Sequence, residues 1–169
     1  MVTEPQVNKE GGTVGDVVDE VFWAPHANPR SVWGFIATYP IFIAAVYRRS
    51  VPLLAVTLLS IGANLVGVSP PETDEAWGTR VVLGEQVWLE RGVLSETGTF
   101  GLTALGGLVN LYTLRAAVNQ DFGRTVAGTI ASVVFMFVFF DRMVTLYDRE
   151  GSGEFDGSTG ERIEPARSE

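Results

Sequence analysis

The chain contains no cysteine, one histidine and one lysine. Without cysteine there is no disulfide, no thiolate nucleophile and no thiolate metal site, and redox chemistry leaves no mark of the compartment. The single histidine, His26, has no paired carboxylate motif beside it and falls short of the three or four protein ligands that zinc takes. Lys9 stands against eleven arginines, and the formal net charge is −8. Such a chain lacks the basic face that neutralises phosphates, so no nucleic-acid partner is expected. Also missing are the G-x-S-x-G, H-E-x-x-H and phosphate-loop patterns. No catalytic residue, metal site or cofactor is therefore assigned, and the balance leans away from an enzyme.

What remains is apolar and arranged in blocks. The 169 residues amount to about one domain. The acidic residues crowd into 4–20, 72–96 and 148–169 and leave long intervals without charge. Residues 31–47 form the first interval, bracketed by Arg30 and by Arg48 and Arg49. Residues 51–68 follow after a short turn, with Pro52 where the first turn of a helix tolerates it. Residues 97–114 and 125–145 form a second pair, the last lengthening past Asp141 and Arg142 if these sit at an interface. Each is near the roughly 17–25 residues that cross a bilayer.

A soluble four-helix bundle would show a polar stripe at the helical period on every helix. None is present: residues 126–140 hold ten Val, Ile, Phe or Met and no charge. The fold expected is all-α, a polytopic membrane bundle of four transmembrane helices with two short interfacial helices. The first interval also lacks the basic leader and small-residue cleavage site of a removable signal peptide. Packing is expected to use small residues, Thr99, Thr103, Gly106, Gly107 and Asn110 on the third span and Ala127/Ala131 and Gly128/Ser132 on the fourth. Asn64 and Asn110 read as interhelical hydrogen bonds, or as polar points lining a pocket. Pro40 predicts a kink in the first span.

Outside the spans, residues 1–12 and the acidic, Gly/Ser-rich 148–169 read as unstructured tails. Residues 14–23 place Val14, Val17, Val18, Val21 and Phe22 on one helical face, with Thr13 as cap. Residues 76–91 place Trp77, Val81, Gly84 and Trp88 on one face with Arg80, Glu85 and Glu90 beside it, as in an interfacial helix with aromatic anchors. Four spans put both termini and the 69–96 segment on one side. The arginines near the span ends do not separate the two sides, which leaves the orientation open.

The stretch APHANPRSVW (24–33) has two readings. In the structural one, Asn28 caps the first span, Pro29 takes the first helical position, Arg30 and Trp33 anchor at the interface, and His26 packs in the preceding loop. In the functional one, His26, Arg30, Arg80 and Glu85 converge on an amphiphilic substrate, as in a membrane-interface enzyme or carrier. Together His26, Asn28, Arg30, Trp77, Arg80, Glu85 and Trp88 outline a candidate interfacial pocket for a lipid headgroup, a small ligand or a partner protein in the membrane.

HANPRSVW at the first span and WGTRVVLGEQVWL between the second and third give HANPxS and WxxRxxLGE motifs. On these the chain resembles a family of small haloarchaeal integral membrane proteins, a domain of unknown function, over roughly residues 20–147. His26, Asn28, Pro29, Ser31, Trp77, Arg80, Gly84, Glu85 and Trp88 stand at the motif positions. The resemblance implies a fold and a location in the cell membrane of a halophilic archaeon, with membrane lipid as the first partner. It implies no reaction.

Overall fold

The computed structural model describes residues 23–66, 69, 71–150, 154–156 and 161–163. The fold is all-α, with five long helices among the described residues. A single helical turn, Ala24–His26, leads into α1 (Pro29–Tyr47). The others are α2 (Val51–Val66), α3 (Trp77–Glu90), α4 (Thr97–Val118) and α5 (Phe122–Glu150). The four apolar segments and the segment 76–91 are helical to within a few residues of the expected limits, while the helix expected at 14–23 and the tail 1–12 lie outside the described residues, apart from Trp23.

Local chemistry sets the helix ends. The Asn28 side chain accepts from the Arg30 N–H at 2.9 Å with Pro29 next in line, as its cap role requires. Ser50 Oγ accepts from Leu53 N–H at 3.4 Å at the start of α2, and Asp121 Oδ1 accepts from Arg124 N–H at 3.1 Å at the start of α5. α1 and α4 end alike: Arg49 and Gln120 both take a left-handed conformation, and the next N–H, of Ser50 or Asp121, returns to the carbonyl of Ala45 or Ala116. The two turns dock on each other. Arg49 donates to the Val118 carbonyl at 3.3 Å and Gln120 donates to the Tyr47 carbonyl at 3.3 Å, so each turn satisfies a carbonyl at the other helix's C-terminus.

α2 packs on α1, and α4 packs along α5. The α1–α2 seam holds a reciprocal pair: Asn64 Nδ2 donates to the Ser31 carbonyl at 2.8 Å, and Ser31 Oγ donates to the Asn64 carbonyl at 3.1 Å. Asn64 is thus the interhelical bond expected. Asn110 instead donates to the Gly106 carbonyl of its own helix at 3.0 Å. On α5 the Gly128/Ser132 row is buried against Thr113, whereas Ala127 is exposed. Gly107 meets nothing, so the small-residue face expected on α4 is engaged only in part.

Two expectations need correction. The one-face periodicity of 76–91 predicts a single buried stripe; α3 is instead buried on most of its circumference, from Gly78 to Trp88. Val81, Val87 and Trp88 pack with Met143 and Leu146 of α5, while Val82 packs with Ala27 and Val32 near the start of α1. Contact on two sides is a tertiary effect that a one-face periodicity does not report. In the C-terminal segment, α5 runs on to Glu150, and β1 (Glu154–Asp156) pairs antiparallel with β2 (Glu161–Ile163).

By length and composition, one helix among those described, α5 over Phe122–Arg149, can cross a membrane; Val51–Asn64 of α2 is apolar but shorter. α4 is diluted by four threonines, four glycines and Asn110 within 97–114. α1 carries Arg30, Pro29 and Pro40, and continues through Pro40 as one helix.

Candidate functional site

The turn before α1, the start of α1, the middle of α3 and the C-terminal half of α5 form a partly open cavity of about 150 Å³, lined by His26, Val32, Phe35, Val81, Val82, Glu85 and Phe140. Each wall has a local cause. The turn Ala24–His26, started by Pro25, sets His26 just before the Asn28 cap. Its ring meets the Phe35 ring edge-on at 5.3 Å and lies 6.4 Å from that of Trp23. α3 comes close on both sides because two of its residues are glycines: Gly78 faces the Pro29 backbone, and Gly84 lies against the Met143 carbonyl. Gly84 directly precedes Glu85, so the tight contact with α5 fixes the point from which the Glu85 side chain leaves the helix.

The electrostatics follow from desolvation. Burial pushes the Glu85 carboxyl up from 4.5 to about 7, and burial lowers the His26 imidazole from its ordinary 6.5. Both groups are thereby driven toward their neutral forms near pH 7. Among the described residues Glu85 has neither a salt-bridge nor a hydrogen-bond partner.

The other residues of the candidate pocket go elsewhere. Asn28 is the helix cap, and its Nδ2 also donates to the Ser69 carbonyl at 2.8 Å. Arg30 is exposed. Arg80 donates to the Asp74 carbonyl at 3.1 Å and lies 3.5 Å from Asp148, while Tyr147 donates to the Asp74 carboxylate at 2.7 Å, so this group ties the loop before α3 to the end of α5. Trp77 stacks among Trp33, Phe137 and Phe140, and Trp88 meets Phe139 edge-on at 5.8 Å. Of the seven, His26 and Glu85 alone share the cavity. Sequence reasoning missed Phe35 and Phe140, whose only signal was an aromatic within an apolar span. Among the described residues no three His, Asp or Glu gather as a metal would need.

These features define an all-α chain in which a buried helix closes a small acid- and imidazole-lined cavity. A family of unknown function (DUF6653) matches residues 6–164, and the chain belongs to that family. The match takes in most of both tails, beyond the 20–147 expected from the motifs. No curated protein and no solved structure matches the chain.

Proposed function

We propose that the chain is a small multipass membrane protein with α1, α2, α4 and α5 as its spans, and that the cavity closed by α3 is a ligand-binding pocket at the membrane interface. The observation that carries the binding half is the sharing of one apolar cavity by His26 and Glu85. A carboxyl held in apolar surroundings with no partner among the described residues, as that of Glu85 is, is costly unless something else fills the site. The spanning half is supported by the outer surface. Leu59 is 72% exposed, Leu111 65% and Ile130 60%, and only 17% of the most apolar window of α5 is buried. Water is a poor solvent for so continuous an apolar surface. The docking of the Arg49 and Gln120 turns fits two short loops side by side on one face. An enzyme or carrier using His26, Arg30, Arg80 and Glu85 together is less well served, since both arginines lie outside the cavity lining.

The absence of cysteine makes the topology directly testable with single cysteines at exposed sites. Arg48→Cys and Asn119→Cys should react alike with an impermeant maleimide in sealed vesicles, and Glu72→Cys and Ser95→Cys should show the opposite access. Equal labelling of all four in sealed vesicles, or recovery of the chain in the soluble fraction, would overturn the spans. For the pocket, native mass spectrometry of the purified chain should find a bound small molecule in the wild type that is lost in His26→Ala.

A further inference from the structure

The identity of the occupant can be narrowed on the assumption that the cavity is a ligand site. We propose that it binds a small organic ammonium ion, with the Glu85 carboxylate as counter-ion and the Phe35 and Phe140 rings as its apolar walls. Three observations converge. Glu85 is the one acidic group lining the cavity and, among the described residues, has no cation of its own. A buried carboxylate gains most from a partner that brings charge without a tightly held hydration shell. The remaining walls are three valines, the rings of Phe35 and Phe140, and the His26 imidazole, which burial holds toward its neutral form, and aromatic side chains attract alkylammonium ions where they would repel an anion. Arg30, the residue that would clamp an anion, is exposed and away from the lining, and Arg80 is engaged with Asp74 and Asp148.

Size and donor set agree with this class. A cavity of about 150 Å³ holds on the order of five waters. That suits an ethanolammonium or tetramethylammonium group. One carboxylate and one imidazole are too few for a calcium or zinc site.

The ammonium group could reach the cavity on a free amine or on a lipid headgroup. The probe is tetramethylammonium chloride, added to the full chain in mild detergent at pH 8, with sodium chloride at equal ionic strength as control. A saturable rise in Tm beyond the sodium control is expected. Glu85→Gln should abolish it, Phe35→Leu should weaken the apparent affinity about threefold to fivefold, and Arg30→Ala should leave it intact. The Leu variant keeps an apolar filling at its position and stays informative should the Gln variant fold poorly. The same titration in phosphatidylglycerol nanodiscs with and without phosphatidylethanolamine separates the sources. Suppression of the rise by phosphatidylethanolamine identifies a headgroup already in the cavity, and an equal rise in both identifies a free amine. Identical Tm in tetramethylammonium and sodium, or an undiminished rise in Glu85→Gln, overturns the proposal. If an uncharged molecule is still found on the wild type and lost in His26→Ala, the ammonium assignment falls while the pocket stands.

Discussion

Gly84 of α3 lies against the backbone carbonyl of Met143 in α5, so close that a methyl group at Gly84 would overlap it. The clash is with main chain, which cannot swing aside as a side-chain tip does. Gly84→Ala should therefore separate the two helices and cost about 1–3 kcal/mol or more. Gly62 of α2 has nothing within 4 Å of the same position. Gly62→Ala should be neutral or stabilise by up to about 1 kcal/mol through helix propensity. Thermal unfolding in detergent measures both; equal effects at the two sites would mean that α3 does not pack as described.

The Asn64–Ser31 pair across the α1–α2 seam makes a second prediction. Each residue's side chain bonds the other's backbone carbonyl, and Gly34 gives Asn64 its room, since a methyl there would meet the Asn64 amide. Asn64→Ala and Ser31→Ala should each destabilise the chain. Each side chain bonds a main-chain carbonyl that the other substitution leaves in place, so the double variant should lose close to the sum, with each bond worth about 0.5–1.5 kcal/mol. A double variant that loses much less than the sum would show that either substitution alone already opens the α1–α2 seam.

The turns at Arg49 and Gln120 give a third. Both hold a left-handed conformation that a non-glycine residue adopts at a cost of about 1–2 kcal/mol, and each also donates across to the other helix's end. Gln120→Gly removes the strain and the bond together, whereas Gln120→Ala removes the bond and keeps the strain. The alanine variant should be the less stable of the two by about 1 kcal/mol. Were alanine the more stable, the left-handed conformation at Gln120 would be in doubt.

Asn28, Pro29 and the helix limits were legible because capping and apolar periodicity are local, written within a few residues of where they act. The Asn64 bond was half legible: an amide in an apolar helix announces a partner without naming Ser31, which the crossing of α1 and α2 supplies. The cavity was legible as two of its residues, His26 and Glu85, because titratable groups are scarce in apolar surroundings. Arg30, Arg80 and the tryptophans were grouped with them by sequence proximity, yet the helical turn leaves Arg30 exposed and directs Arg80, Trp77 and Trp88 to other neighbours. The burial of α3 was not legible. Its Trp77/Val81/Gly84/Trp88 face predicts one contact surface, and the second arises only because α1 approaches across Gly78. Phe35 and Phe140 are aromatic residues in apolar spans, with nothing local to separate a cavity wall from a lipid-facing ring.

Stability should depend on pH through Glu85 and His26. Glu85 has its carboxyl raised from 4.5 to about 7, so the folded state holds its proton more tightly than the unfolded state does. Its contribution is fully present below pH 4.5 and is lost as pH rises through about 7. The shift corresponds to a loss on the order of 3 kcal/mol by pH 8. His26 runs the other way: its lowered value means that stability present above 6.5 is lost as pH falls through the folded value. Glu85→Gln removes the first trend and leaves the second. Gln brings its own cost of burying an amide, but that cost does not change with pH, so the readout is the slope. From pH 5 to pH 8 the stability of the wild type should fall relative to Glu85→Gln, and His26→Ala should lessen the wild type's loss on acidification below 6.5. Parallel curves for the wild type and Glu85→Gln would show that the carboxyl is as well solvated folded as unfolded, and the cavity would then be open to water.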